Sequence, residues 1–331
     1  MTVLERKRRC AELTRVEKWF SEGPRYFLFE HENIIRPLLR TGLAMLGLLG
    51  RGQRNALSPV VRRMQFSFDS LPEEFCGFRL MHLSDLHIDG VPGLAERVAE
   101  LVSGIEVDLC VMTGDYRFAT HGPCHNVYPM MRKIVGAIRS RHGILGTLGN
   151  HDFAEEAPEL EKMGVRMLMN ASAEIRNGEK SIWFAGVDDP YDYQCDDLDA
   201  AFAEVPAEAF KILLIHAPER LEEASRRGVH LYLCGHTHNG QIRLPGIGAV
   251  LVPANCPRTY IGGVWQYKNV KGFTSAGVGC SLLPVRFLCP PEIGLIELRC
   301  SRHADGQSCR EYNSLVSQKD YARMILTGAN R

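Results

Sequence analysis

Hydrophobic and polar residues alternate in blocks along residues 78–151, and the blocks predict strand, helix, strand, helix and strand in that order. The apolar runs have the length of buried strands, and the stretches between them carry apolar residues at helical spacing. The runs lie at residues 78–84, 109–113 and 144–148, and the helical stripes at residues 94–105 and 130–138. We predict a parallel sheet with right-handed helical crossovers, in which polar sites collect beyond the carboxyl ends of the strands.

The second half of the chain predicts more strands and one further helix. Apolar runs predict strands at residues 181–187, 211–215 and 230–234. Residues 218–227 predict a helix, with Pro218 in its first turn and Gly228 at its end. After residue 240 the pattern changes to short strands separated by Gly and Pro, predicted at residues 241–244, 259–264, 270–275 and 293–299.

Five of the predicted strands end in residue types that bind metal ions. The residues are Asp85 and His87, Asp115, Asn150 and His151, His216, and His236 and His238. One such end is more often a turn or a structural histidine, but five ends of matching chemistry favour a metal site. Side chains two apart on an extended backbone point to the same side, so each pair of this spacing can face one cation. Carboxylate and amide oxygens mixed with imidazole nitrogens suit Mn, Fe, Zn or Co.

The order of these polar blocks resembles the calcineurin-like metallophosphoesterases. The blocks are Asp85-x-His87, Gly114-Asp115, Gly149-Asn150-His151-Asp152, His216 and Gly235-His236-x-His238, within roughly residues 78–299. The resemblance implies an α/β fold, a four-layer α-β-β-α sandwich of two mixed sheets with helices outside. We expect a basic, partly amphipathic helical extension at residues 1–75, a metallophosphoesterase domain at residues 76–300 and a polar tail at residues 301–331.

The resemblance also implies two divalent cations, with manganese expected first and Fe, Zn or Co as alternatives. The first cation would be bound by Asp85, His87 and His238, the second by Asn150, His216 and His236, and Asp115 would bridge them. Two neighbouring cations would lower the pKa of a bridging water toward about 7, so that a hydroxide attacks phosphorus. His151 would act as the acid for the leaving oxygen or stabilise charge in the transition state, and Asp152 would orient it.

Residues 236–246 and Pro291-Glu292-Ile293 are similar to the bacterial YaeI/YkuE-like branch of this superfamily. That branch implies phosphohydrolases of the cell envelope, and a related branch cleaves the pyrophosphate of UDP-2,3-diacylglucosamine. We therefore expect a lipid-linked or nucleotide-sugar pyrophosphate or phosphodiester as substrate. Asn239 and Ala276 stand where the branch often has glycine and arginine, and these departures concern the substrate and not the metal site.

Two alternative functions stay open at this point. One is a soluble cyclic-nucleotide or protein phosphoesterase, and the other is a non-catalytic scaffold that binds metal. The loop after Asp115 offers Arg117 and His121 as substrate contacts, since a guanidinium can bind a phosphate through two hydrogen bonds. The alternative for this loop is a solvated turn.

Residues 1–63 are basic, because they hold 13 Lys and Arg against 6 Asp and Glu, whereas the whole chain holds 39 of each. Arginines among apolar and aromatic residues suit a helix on an anionic membrane surface, and the alternative is a cap packed on the sandwich. No secretory signal is evident, and the stretch from Leu43 to Leu49 is too short to span a bilayer. We expect a cytoplasmic protein with peripheral attachment to the inner face of the membrane and no nucleic-acid partner. Eleven cysteines without CxxC spacing favour reduced thiols.

Overall fold

The computed structural model describes residues 7–9, 11–12, 32–250, 252, 254–301 and 309–312. Its main elements are two mixed β-sheets and seven α-helices between residues 32 and 312. The helices are α1 (Glu32–Met45), α2 (Leu49–Ala56), α3 (Leu94–Ser103), α4 (Tyr128–Ala137), α5 (Glu156–Lys162), α6 (Leu198–Phe202) and α7 (Leu221–Arg226). The strands of the first sheet are β1 (Val60–Phe68), β2 (Arg79–Leu83), β4 (Leu109–Thr113), β6 (Ile144–Thr147), β7 (Val165–Met167), β16 (Glu292–Cys300) and β17 (Cys309–Tyr312). Those of the second are β8 (Ala171–Asn177), β9 (Lys180–Gly186), β10 (Phe210–Leu214), β11 (Leu231–Cys234), β14 (Gly263–Tyr267) and β15 (Val270–Thr274).

Each sheet contains a block of four parallel strands. The order of the first sheet is β17-β1-β16-β2-β4-β6-β7, and the order of the second is β14-β15-β11-β10-β9-β8. Strands β2, β4, β6 and β7 run parallel, as do β9, β10, β11 and β15. Four short strands form two small ribbons, β3 (Glu106–Val107) with β5 (Arg139–Ser140) and β12 (Arg243–Leu244) with β13 (Gly248–Ala249).

Three groups of buried apolar side chains fill the spaces between four layers. The central group lies between the two sheets and includes Val111 of β4 and Ile212 of β10. The next residue of β4, Met112, points to the other face and packs with Val98 of α3. A third group covers the outer face of the second sheet together with α6 and α7. This confirms the α-β-β-α sandwich of two mixed sheets that the sequence resemblance implies.

The predicted extension contributes directly to the first sheet. Residues 60–68 lie before the expected boundary at residue 75, yet they form β1 and pair in parallel with β16 along nine residues. This strand has no continuous apolar run, because it contains Arg62 and Arg63. Arg62 can occupy the strand because it pairs with the buried carboxylate of Glu292 at 2.8 Å. Gly52 of α2 also packs closely on Val285 and Phe287. Residues 309–312 of the expected tail form β17 at the edge of the sheet.

A second difference concerns residues 259–264, where the sequence predicts a strand. Residues 258–260 form a single 3₁₀ turn, and the strand begins at Gly263 instead. No helix within the described residues is long and apolar enough to cross a membrane. None of the nine cysteines with described side chains forms a disulfide, in agreement with the expected reduced thiols.

Candidate metal centre

The predicted metal-binding residues converge because both blocks of parallel strands end at the same edge of the sandwich. Residues Asp85 and His87 follow β2, Asp115 follows β4, and Asn150 follows β6. From the second sheet, His216 follows β10, and His236 and His238 follow β11. The seven side chains are buried. Ligand atoms of six of them, together with His151, form three clusters, two of which contain Asp115.

The backbone at this edge adopts a conformation that non-glycine residues rarely use. Five of the seven residues have positive φ angles: Asp85 (49°), His87 (36°), Asp115 (57°), His236 (69°) and His238 (50°). Such left-handed residues persist only where the surrounding structure holds them, and they cluster at functional sites. A Cβ atom on Gly235 would collide with the side chains of Ser84 and Asp85, so glycine is required for the two sheets to approach here.

The first donor group consists of Asp85, His87 and His238. The Nε2 atoms of His87 and His238 are 3.1 Å apart, and Oδ1 of Asp85 lies 3.5 Å from Nε2 of His238. Burial and the neighbouring charges of His87 and Arg286 hold the pKa of His238 well below its usual value. The His238 ring is therefore neutral, as a metal ligand must be.

The second donor group consists of Asn150, His216 and His236. Oδ1 of Asn150 lies 2.9 Å from Nε2 of His216 and 3.0 Å from Nδ1 of His236. The two imidazole nitrogens are themselves 3.2 Å apart. Three ligand atoms thus face one small volume.

Asp115 lies between the two donor groups. Its Oδ2 atom is 3.5 Å from Nε2 of His87 and 3.3 Å from Nε2 of His216. Burial favours the neutral acid, but the charges of His216 and His151 outweigh it and hold the pKa of Asp115 well below its usual value. In the other direction, burial opposes charge on His216, yet the Asp115 carboxylate raises the pKa of His216 to about 10. A bound cation would replace such a proton, because metal ligands bind deprotonated.

The rings of two metal-binding histidines are oriented by backbone carbonyls. Nδ1 of His87 donates to the Arg117 carbonyl at 2.7 Å, and Nδ1 of His216 donates to the Thr113 carbonyl at 2.7 Å. Each of these bonds leaves the lone pair of Nε2 directed into the site. Metal-binding histidines in proteins are commonly fixed in this way.

These residues fit a pair of transition-metal cations. Ligand atoms about 2.1 Å from one cation and at right angles to each other lie about 3 Å apart. Five separations within the two donor groups are 2.9–3.5 Å, which matches this spacing. The mixture of carboxylate, amide and imidazole is also the chemistry that such cations prefer.

His151 lies beside the two groups, and its orientation differs from the one expected. Its Nδ1 atom donates to the Phe118 carbonyl at 2.6 Å, while Nε2 lies 3.9 Å from Oδ2 of Asp115. Asp152, expected to orient His151, instead accepts hydrogen bonds at 2.7–2.8 Å from the N–H groups of Asp115, Tyr116 and Gly149. Asp152 therefore joins the turns that follow β4 and β6, and the Phe118 carbonyl takes the orienting role.

Arg117, expected to contact substrate, is buried and used within the fold, since only 2% of it is exposed. Its guanidinium donates to the carbonyls of His121 and Gly122 at 2.9 and 3.0 Å and lies over the ring of Phe153. Arg117 therefore shapes the loop, and its contact with substrate stays a prediction. His121 is exposed on that loop, and its contact with substrate stays a prediction.

Sequence reasoning missed three groups that surround the site. Asp192 accepts a hydrogen bond from Nδ2 of Asn150 at 2.8 Å. This bond turns Oδ1 of Asn150 toward His216 and His236. Arg286, fully buried, donates to the carbonyls of Gly279 and His238. Arg8 reaches the site from the N-terminal segment. The run Asp188-Asp189-Pro190-Tyr191-Asp192 was a visible signal, but its turn chemistry concealed Asp192, and no spacing pattern marks either arginine.

Comparisons with known proteins agree with this geometry. Residues 78–240 match the family model described as calcineurin-like phosphoesterase. The uncharacterized metallophosphoesterase YkuE of Bacillus subtilis is 29% identical over 240 residues, which cover 69% of this chain and 82% of that protein. The phosphodiesterase YaeI of Escherichia coli is 28% identical over 230 residues, covering 67% and 82%. A Danio rerio protein described as a transmembrane protein with metallophosphoesterase domain is 27% identical over 288 residues, covering 81% and 63%.

Solved structures show weaker likeness. The phosphopantetheinyl hydrolase of Mycobacterium tuberculosis covers 73% of this chain and 98% of that chain at 11% identity, with a TM-score of 0.40. A protein of Thermus thermophilus, TT1561, gives a TM-score of 0.42 at 12% identity and covers 61% and 90%. Scores of this size support no inference about function.

Proposed function

We propose that this chain, a calcineurin-like phosphoesterase, hydrolyses phosphoric esters with two divalent cations, one at each donor group, and that manganese is the first metal to expect. The position of Asp115 carries this proposal, since one carboxylate oxygen lies within 3.5 Å of nitrogens from both groups. Two bound cations would polarise the phosphoryl oxygens and would supply a hydroxide nucleophile at neutral pH.

The residues around the cations have separate tasks in this proposal. The donor groups would hold the cations that bind the phosphoryl group. Burial of the site excludes other water molecules. His151, with Nδ1 held by the Phe118 carbonyl, directs Nε2 toward the centre, where it can give a proton to the leaving oxygen. The alternative task for His151 is to stabilise negative charge in the transition state.

A cavity of about 310 Å³ supports a substrate that extends well beyond its phosphorus atom. It is lined by Phe118, whose carbonyl orients His151, and by Arg36 and Arg40 of α1. Arg36 lies over the Phe118 ring at 4.7 Å. Two arginines beside an apolar surface suit a second phosphate or a sugar joined to an apolar group. We therefore propose that the substrate is a lipid-linked or nucleotide-sugar pyrophosphate or phosphodiester. UDP-2,3-diacylglucosamine belongs to this class.

Helix α1 also supports peripheral attachment to the cytoplasmic face of an anionic membrane. Its apolar residues Leu38 and Met45 are 65% and 80% exposed, and Leu46 next to them is 72% exposed. Exposed apolar side chains next to Arg36 and Arg40 are typical of a helix that lies in a membrane interface. The apolar atoms would enter the lipid while the arginines contact anionic headgroups.

Hydrolysis of bis(p-nitrophenyl) phosphate by the Mn-loaded protein tests the catalytic proposal. We expect turnover by the wild type and a loss of about a thousandfold in Asp115→Ala, because both cations lose their shared ligand. If His151 is the acid, His151→Ala loses more activity on an ester with an alkyl leaving group than on the p-nitrophenyl ester, which hardly needs protonation. Equal inertness of the wild type and both variants on every ester would favour the alternative of a metal-binding scaffold.

Vesicle sedimentation tests the membrane proposal separately. We expect the triple variant Leu38→Ser, Met45→Ser and Leu46→Ser to release the protein from anionic vesicles and to leave turnover of the small ester unchanged. The matched control is Leu244→Ser with Ile247→Ser, which removes exposed apolar side chains outside α1. Equal vesicle binding by the wild type and the triple variant would contradict the proposal and favour a soluble substrate such as a cyclic nucleotide or a phosphoprotein.

A further inference from the structure

Residues 7–9 and 11–12, here called the N-terminal segment, do not belong to the sandwich. Within this segment the charged side chain of Arg8 is only 1% exposed. Its neighbours Lys7 and Arg9 are both exposed, as expected for a basic cluster. A buried arginine requires partners that compensate for its lost hydration. Arg8 therefore has a specific binding place in the fold.

The partners of Arg8 lie in the turn that carries part of the metal centre. Nη2 of Arg8 donates to the carbonyls of Gly149 and Asp152 at 2.9 and 2.7 Å. The two residues between these carbonyls are Asn150, a member of the second donor group, and His151, the proposed acid. Arg8 therefore holds both ends of the four-residue turn.

The other side of the Arg8 guanidinium contacts the loop after β9. Nη1 forms a salt bridge with the buried carboxylate of Asp188, and the guanidinium lies over the Tyr193 ring at 4.3 Å. Asp192 of the same loop holds the amide of Asn150 at 2.8 Å. The two loops that orient Asn150 are thus joined to each other through Arg8.

A second residue of the segment reinforces this contact. Oε1 of Glu12 accepts from Nε of Arg8 at 3.1 Å and from the backbone N–H of Ala154 at 2.7 Å. The segment therefore contacts the chain on both sides of His151. Its contacts with Gly149, Asp152 and Ala154 are all with main-chain atoms, so they restrain where the turn lies.

We propose that Arg8 is a positioning residue for the second cation, through which the N-terminal segment completes the second donor group. This rests on the metal centre proposed above. The guanidinium is suited to the role, because its fork of donors can bind two carbonyls and a carboxylate at once, whereas a lysine has a single ammonium group. Without Arg8, Asp188 would be buried without its cation and the Asn150 turn would lose its restraint.

Calorimetric titration of Mn²⁺ into the metal-free full-length protein tests the proposal without any substrate. His238→Ala and His236→Ala identify which binding event belongs to the first and which to the second donor group. We expect Arg8→Ala to weaken the second event about 10- to 100-fold, as for other residues that orient metal ligands, and to leave the first event unchanged. Arg8→Lys is expected to recover only part of the affinity.

Lys7→Ala and Arg9→Ala are the matched controls, since each removes one positive charge next to Arg8 from an exposed position. Both are expected to bind Mn²⁺ as the wild type does. Millimolar guanidinium should restore part of the second event in Arg8→Ala, and urea at the same concentration should not. If Arg8→Ala does not fold, the Arg8→Lys protein carries the test through its second event.

Two outcomes separate the failure of this proposal from the failure of the proposed function. Two Mn²⁺ events of wild-type affinity in both Arg8→Ala and Arg8→Lys would overturn the role of Arg8 and leave the metal centre intact. Absence of two events in the wild type would overturn the metal centre itself. Equal weakening of both events in Arg8→Ala would also overturn the proposal, because it would indicate general destabilisation.

Discussion

The guanidinium of a fully buried arginine restrains the main chain on each side of the metal centre, and these two arginines come from different parts of the chain. On the first side, Arg286 donates to the carbonyls of Gly279 and His238. On the second side, Arg8 donates to the carbonyls of Gly149 and Asp152. In both cases a guanidinium restrains main-chain atoms beside the donor group without being a ligand itself.

The difference between the two arginines is where they lie in the sequence. Arg286 lies between β15 and β16, so the first donor group and its support all lie within the sandwich. Arg8 lies far from β6, and its contact with Asp188 spans 180 residues. The first side is therefore set by the sandwich alone, whereas the second side also depends on the N-terminal segment. Substitutions on the two sides should consequently have separable effects on the two cations.

The largest expected effect is on the first side, at Gly235. In Gly235→Ala the new methyl group would collide with Ser84 and Asp85, and relief of this overlap should destabilise the fold by about 3 kcal/mol. We also expect loss of the first Mn²⁺ event, because Asp85 would be displaced. Thermal unfolding and calorimetry measure the two effects.

The control for this substitution is Gly136→Ala in α4, where a methyl group would enter open space. Its higher helix propensity should leave stability unchanged or raise it by up to about 1 kcal/mol. Similar stability of the two variants would contradict the close approach of the two sheets at Gly235.

The next effect in size is expected for Arg286→Ala. Removing the guanidinium leaves the carbonyls of Gly279 and His238 buried without this donor, at a cost of about 2–3 kcal/mol in unfolding free energy. The first Mn²⁺ event should weaken more than the second, in contrast to Arg8→Ala. If Arg286→Ala and Arg8→Ala weakened the same event, the division into two independently supported sides would be wrong.

The smallest effect is expected for Asp192→Ala on the second side. This change removes the acceptor that turns the Asn150 amide, and the second Mn²⁺ event should weaken about tenfold. Asp192→Asn keeps a carbonyl oxygen at the same position and should restore most of the affinity. Equal affinity in Asp192→Ala and the wild type would show that Asn150 needs no such partner.

The sequence predicts the first side of the metal centre better than it predicts the second side, which depends on the N-terminal segment. Residues such as Asp85 and His238 stand directly after apolar runs, and the parallel strands that these runs predict bring their ends to one edge. The family model, which matches residues 78–240, and the four-layer fold both agree with that reading. Strand β1 escaped prediction because Arg62 and Arg63 interrupt its apolar pattern, and the buried Glu292 that pairs with Arg62 becomes apparent only in three dimensions.

Packing in the folded chain explains what the sequence does not predict for two arginines. Arg117 follows Asp115 so closely that a role in the cleft is the natural prediction, yet its guanidinium turns toward Phe153 and the carbonyls of its own loop. Arg8 lies in a basic cluster that predicts an exposed surface, and only the tertiary structure places it against Asp188. A single sequence carries no signal for either orientation, because both depend on how the folded chain packs around each guanidinium.

The central claim is that one carboxylate, Asp115, lies between two cations. Electron paramagnetic resonance of the protein loaded with two equivalents of Mn²⁺ tests this claim most directly. We predict the signal of an exchange-coupled pair, which requires two Mn²⁺ ions at about 3.5–4 Å, and its replacement by the signal of isolated ions in Asp115→Ala. A wild-type protein that shows only isolated Mn²⁺ at full loading would contradict the account.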